Sequence, residues 1–419
     1  MKKRNSKCRL SRREFLKYSG IGAISLGALQ GPWVIKARGE ETIKIGQLQP
    51  LTGTFSAKGV NQMNGTNFAA EEFNSKGGVL GRAVEVITAD DESHPGPGKQ
   101  KAIRLIEKNK VTCITGCVSS AVGAAVCAVA LEKKTPFFIQ LNYATTLTNE
   151  LCNRYTFRMC PNDTMWPRAT VPWMLENLGK TWYFQVADYI AGKDNFKAAK
   201  EIIEGKGGKI IGADFNPLGT TDFSSQLLKV RAAKPEVIGV LEWGADNTNI
   251  LKQINEFRLH KEMKIGGVTG VGIEDAVGVA PGELGYWGIE WYHDLEMPKS
   301  KEFVKKYAAK FGDVPTKHSW IGYVTTQQIL EAINRAKSTE PQKIISAVEG
   351  HKFDNLTNRP SYIRAWDHQA IMDLLIIGGK PIEKQQKPGK LDLFNIVTWV
   401  SGESVAQTKA ESKCKMGPF

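Results

Sequence analysis

What this 419-residue sequence lacks is as informative as what it holds. Its six histidines (His94, His260, His293, His318, His351, His368) are scattered, with no metal-ligand spacing such as H-E-x-x-H. There is no G-x-S-x-G elbow, no phosphate-binding glycine loop and no dinucleotide fingerprint, so the best-marked hydrolytic, nucleotide and redox chemistries lose their signatures. Catalysis, a metal and a cofactor are therefore not expected. Beyond the N-terminus no stretch reaches the ~18–20 apolar residues needed to span a bilayer, and no solenoid period recurs. A nucleic-acid footprint is missing too, despite a formal net charge of +13. Residues 1–39 hold ten basic side chains against Glu14, so +9 sits there and only +4 is left for the rest.

That basic N-terminus has its own logic. Ser11-Arg12-Arg13-Glu14-Phe15-Leu16-Lys17 matches the twin-arginine export motif, with an apolar, glycine-bearing run (18–29) and small residues near Ala37 behind it. Residues 1–39 are expected to be a cleaved signal that sends a folded, soluble chain to the periplasm through the twin-arginine machinery. Disulfides persist in that compartment. Cys152 and Cys160 flank a short loop and form the candidate pair, whereas Cys113, Cys117 and Cys127 suit buried free thiols.

The chain is organised around residues 111–148. An apolar run ends in Gly116 and Ser119-Ser120, a small-residue helix follows, and a second apolar run (136–140) opens into Asn142-Tyr143-Ala144-Thr145-Thr146. Two parallel strands built this way release both loops at one carboxyl edge, where open α/β sheets bind ligands. Hydroxyls and free N–H groups at a helix start suit a carboxylate or a polarised carbonyl. Either serine alone serves equally well as a helix cap; two such loops side by side point to a small-molecule site. Around this unit, strands and helices alternate from Thr42 to Arg158 and again from Thr164 to Val268. The fold class is α/β, with two similar doubly wound parallel-sheet lobes. Three strand-free helices cover 299–349, strand-like patterning returns at 362–377, and the polar tail after Gly402 is expected to be loosely held.

With these segments in view, the chain resembles the periplasmic solute-binding proteins of the leucine/isoleucine/valine and amide/urea type, the receptors of ATP-driven ABC importers. The likeness covers essentially all of the mature chain. It rests on Pro50-Leu51-Thr52-Gly53, on 74–82 (NSKGGVLGR), on Asp90-Asp91 with Ser93, and on Gly116 followed by Ser119-Ser120. Further along it rests on Tyr155-Thr156-Phe157-Arg158, Thr221-Asp222-Phe223-Ser224 and 364–369 (RAWDHQ). The resemblance implies the type I periplasmic binding fold, its lobes joined by three crossovers near 157–163, 285–293 and 353–360. Lobe 1 is then 40–158 with 294–353, and lobe 2 is 159–293 with 354–419. It implies a small polar solute caught between the lobes and delivered to a membrane permease with its ATPase subunits, by a monomer. A ligand sensor of the same fold, feeding a receptor or regulator, is the alternative.

Carried over by position, the resemblance implies that Ser119 and Ser120 hold the ligand's carboxylate or amide oxygen, helped by Tyr143, Ala144 and Thr145. Lys58 falls near a position where amino-acid binders place an aromatic ring and would favour an anion there, but a lone lysine is expected to be a solvated surface side chain. From the second lobe come Tyr189, Ala191, Trp243 and Gly270, the aromatics closing over the ligand. One departure stands out. Amino-acid binders offer a carboxylate to the ligand's ammonium from the loop that here reads Thr269-Gly270-Val271-Gly272, with Glu274 displaced. An ammonium buried there without a partner costs several kcal/mol. Unless Glu242 or Glu274 compensates, an amide, a urea-like compound or an organic or aromatic acid fits better than an α-amino acid. Asp90-Asp91 is expected to cap the cleft-side turn, Trp166, Trp173 and Trp182 to pack in the second lobe, and His368 to be structural.

Overall fold

The computed structural model describes residues 41–276, 279, 284–359, 361–385 and 392–419. The proposed signal at 1–39 lies outside them, and of Glu274 only the backbone is described. Strand and helix alternate at first as the hydrophobic pattern dictates: β1 (Ile43–Gln49), α1 (Ser56–Ser75), β2 (Val84–Asp90), α2 (Pro95–Glu107), β3 (Cys113–Gly116), α3 (Ser120–Lys133), β4 (Phe137–Ile139) and β5 (Thr156–Arg158). These strands pair in parallel in the order β2-β1-β3-β4-β5.

The second series is α4 (Met165–Asn177), β6 (Thr181–Ala187), α5 (Ile190–Gly205), β7 (Lys209–Asn216), α6 (Ser224–Ala233), β8 (Val237–Leu241), α7 (Ala245–Glu256), β9 (Lys264–Gly270) and β10 (Tyr286–Ile289). It repeats the first order as β7-β6-β8-β9-β10, all parallel. Each sheet therefore has a switch point beside its first strand, where loops leave in opposite directions and open a crevice.

Three helices follow, α8 (Pro298–Phe311), α9 (Lys317–Ala336) and α10 (Pro341–Val348), then the short β11 (Lys352–Phe353), β12 (Ser361–Ile363) and β13 (Ala370–Ile371). β14 (Leu374–Gly379) and β15 (Phe394–Val400) extend the second sheet antiparallel at its edge, and α11 (Gly402–Val405) ends the regular structure. The expected parallel lobe thus has a mixed edge, because β14 and β15 form a hairpin.

α9 returns to the first lobe and lies against α1. The approach is close because neither helix carries a side chain at the crossing. A Cβ on Gly65 would stand 1.9 Å from Ser319 O, and one on Gly322 would stand 2.3 Å from Gln62 O. This contact brings the first turns of α1 and α9 to the cleft together.

Two expectations are corrected at the C-terminus. Cys152 is joined to Cys414 and not to Cys160, which is a buried free thiol with its Sγ 3.7 Å from Asn142 O. The extended residues of β5 carry Cys160 inward, away from Cys152 on the preceding loop. The tail is not loose: besides the disulfide, Lys413 N donates to Asn149 Oδ1, Arg154 Nε donates to Gly417 O at 3.1 Å, and the Arg154 guanidinium lies over the Phe419 ring. Cys113, Cys117 and Cys127 are free and buried, as the sequence suggests.

Candidate functional site

The turn after β1 is fixed first. Asp90 accepts the N–H of Leu51 and the hydroxyl of Thr52, each at 2.9 Å, so it holds the Pro50–Gly53 turn that leads into α1. Asp91 accepts from Ser93 N at 2.8 Å, and burial pushes its carboxyl up to about 7. Phe55 and Lys58, just beyond that turn, then face the second lobe.

At the end of β3, Gly116 takes φ +123°, a region that favours glycine, and a Cβ there would stand 2.1 Å from Leu48 O. The chain turns sharply into α3. Ser119 occupies the N-cap position, yet its hydroxyl makes no capping bond, so the first-turn N–H groups of α3 are not taken up by it. Ser120 Oγ accepts from Ala144 N at 3.4 Å and ties the two polar loops together.

The second loop is anchored by a residue whose role the sequence did not reveal. Arg158 is fully buried; it donates to Gln369 Oε1 at 2.7 Å, to Ala144 O and to Thr148 Oγ1. Gln369 and His368 belong to the 364–369 motif. The His368 ring stacks on Phe157 at 3.9 Å and bridges Thr156 O and Glu349 Oε1, a structural role. On the same loop Tyr143 donates its hydroxyl to Glu290 Oε1 at 2.8 Å and accepts from Lys317 Nζ at 2.7 Å. Burial, with Glu290 adding to it, holds the Tyr143 hydroxyl well above the usual phenol range.

The second lobe supplies Tyr189 before α5, Ala191 in its first turn, Trp243 after β8 and Gly270 at the end of β9. α5 begins at Ile190, so Ala191 lies in its first turn. The Tyr189 and Trp243 rings meet edge to face with centroids 5.4 Å apart. Asp163, Glu242 and Asp246 lie near enough to act on the Tyr189 hydroxyl. Burial raises all three carboxyls, Glu242 to about 8 although Asn216 donates to it at 2.9 Å.

Lys58 is the largest departure from expectation. It is 3% exposed and pairs at 2.7 Å with Asp275, 4% exposed, across the gap between the lobes. The loop after β9 does carry a buried acid, one position beyond Glu274. Asp275 Oδ2 also accepts from Gly244 N at 3.2 Å, which couples it to the loop bearing Trp243.

These elements enclose a cavity of about 20 Å3 lined by Phe55, Lys58, Val118, Ser120, Leu141, Tyr143, Tyr189, Ala191, Trp243, Gly270 and His318. Of the expected contact residues, Lys58, Ser120, Tyr143, Tyr189, Ala191, Trp243 and Gly270 line it. Ser119, Ala144 and Thr145 do not line it: Ser119 precedes the lining Ser120, Ala144 N donates to Ser120 Oγ, and Thr145 Oγ1 lies 3.0 Å from Thr164 Oγ1 of the second lobe. Phe55, Val118, Leu141 and His318 join the wall without a sequence signal beyond ordinary core patterning. Trp166 packs against Tyr143 from behind (5.7 Å between centroids), while Trp173 and Trp182 pack on Tyr286 and Phe184. The volume holds about one water molecule.

The comparisons with known proteins agree with this architecture. The profile of the family described as periplasmic binding protein matches residues 42–383. A Leu/Ile/Val-binding protein homolog from Brucella abortus is 29% identical over 355 residues, covering 78% of this chain and 85% of its own. The crystal structure of a periplasmic binding protein from Burkholderia mallei superposes with a TM-score of 0.82 at 27% identity, covering 89% of this chain and 98% of its own. A solute-binding protein of an ABC transporter from Rhodopseudomonas palustris, in complex with 3,4-dihydroxybenzoic acid, shares the fold (TM-score 0.76, 23% identity, covering 89% and 100%). With that profile matching most of the chain, and with two sheets of one strand order, this chain belongs to the periplasmic binding protein family.

Proposed function

We propose that this protein is the exported substrate-binding component of an ABC importer, taking a small solute with a carboxylate or carboxamide head. It binds and does not catalyse. The head docks on the uncapped first turn of α3 beside Ser119 and Ser120, where N–H dipoles favour an oxygen. The body of the solute rests on Phe55 and Leu141 and is covered by Tyr189 and Trp243. Closure forms contacts with both lobes at once, which shifts a hinge equilibrium toward the closed form. That form presents the solute to a permease and its ATPases in the inner membrane. The lobes divide at 158, 293 and 353 in this reading, and the twin-arginine segment delivers the folded chain. The Rhodopseudomonas neighbour illustrates that the fold accommodates an aromatic acid.

The observation that carries the reading is the single cavity wall built from both lobes, with an uncapped helix start on one side and an aromatic pair on the other. Protein purified from its native host, denatured and analysed by mass spectrometry, tests it. A stoichiometric solute with a carboxylate or carboxamide head supports the reading; a solute with neither group, such as a sugar or a polyamine, overturns it.

A further inference from the structure

Lys58 brings a cation into a cavity whose nearest acid is already engaged. The first turn of α1 places its ammonium 2.7 Å from Asp275 Oδ2, and both side chains are almost wholly buried. Burying such a pair is tolerated when further hydrogen bonds support it, and the Gly244 N–H supplies one to the same oxygen. Of the other acids near the site, Glu290 is already engaged by Tyr143 and Lys317, and Asp163, Glu242 and Asp246 are not part of the wall. Burial favours their neutral forms: the Glu242 carboxyl is held at about 8, and that of Asp163 well above the usual carboxylate range. A ligand's ammonium would therefore meet a like charge and no uncommitted carboxylate in the cavity wall. A carboxylate or carboxamide meets neither obstacle and has the α3 N–H groups before it.

We propose that Lys58 is a built-in substitute for a ligand's ammonium: as the lobes close it occupies Asp275, so the cleft accepts small acids and amides and rejects α-amino acids. This rests on the cleft reading above and narrows it. Lys58 is on one lobe and Asp275 on the other, so the selection is made only in the closed form. The preference is then a property of one residue and can be reversed.

The test uses two probes of one carbon skeleton, L-leucine and 4-methylpentanoate, which lacks the ammonium. Their binding is measured by calorimetry on the wild type, on Lys58→Met and on the charge-free Lys58→Met/Asp275→Asn pair. The wild type is expected to prefer 4-methylpentanoate at least tenfold. Lys58→Met, which frees Asp275, is expected to reverse that order, and the double variant to restore it. Should Lys58→Met not fold, Lys58→Gln carries the same comparison. Tighter leucine binding by the wild type, or an unchanged order in the single variant, overturns the role of Lys58. Binding of neither probe by any variant instead overturns the carboxylate cleft itself, and this inference with it.

Discussion

Arg158→Met puts the most weight on one side chain. The guanidinium reaches Gln369 Oε1, Ala144 O and Thr148 Oγ1, and it sits 3.4 Å from Asn142 O, all in a fully buried pocket. Methionine fills much of the volume but leaves these acceptors without a donor. Each orphaned buried group costs about 1–3 kcal/mol, and breaking a buried charged network typically costs about 3–5 kcal/mol in total. Unfolding entropy of ~2.1 cal/mol/K per residue gives a chain of this size roughly 0.8 kcal/mol/K. The melting temperature should therefore fall by about 4–6 °C in a calorimetric scan. The loop from Asn142 to Thr148 loses its anchor as well, so affinity for a bound solute should fall by at least tenfold. A melting temperature within ~1 °C of the wild type, with affinity unchanged, would refute the view that this arginine builds the second loop.

Other outcomes follow from the same geometry. Glu242 is held up to about 8 by burial, so the folded form binds a proton that the unfolded chain has released above ~4.3. Its contribution is full below the unfolded value and is lost as pH rises toward 8; Glu242→Gln should thus melt progressively higher than wild type between pH 5 and pH 8.5, and a constant gap would contradict this. Removing the disulfide by Cys414→Ser opens a closure between residues 262 apart, for which chain entropy gives on the order of 5 kcal/mol. The variant should melt several degrees lower and lose its tail beyond Val405 to limited proteolysis, whereas a tail as resistant as in the wild type would mean that Arg154 and Asn149 suffice to hold it.

Local patterning carried the sequence reading far and then stopped for a physical reason. The alternation of β1 through β10 was legible because a buried parallel strand and an amphipathic helix each impose a period on neighbouring residues. The polar loops at Ser119-Ser120 and Tyr143–Thr145 were legible because each follows such a strand. Partners remote in sequence leave no periodic trace. Cys414 is drawn to Cys152 only by the return of the tail. Lys58 meets Asp275 only because the second sheet faces the first. Arg158 looked like the end of a short strand, and its task appears once Gln369 arrives from the far side.

The central claim is that a solute is gripped only when the aromatic pair of one lobe closes over the uncapped helix of the other. Calorimetric titration of wild type and Trp243→Ala with the solute recovered from native protein tests it most directly. Loss of the indole should leave the ligand-free melting temperature within ~2 °C and weaken binding by about 100-fold, the ~2.7 kcal/mol expected for a large apolar contact removed from the lid. Equal affinity in the two proteins would mean that the solute binds elsewhere.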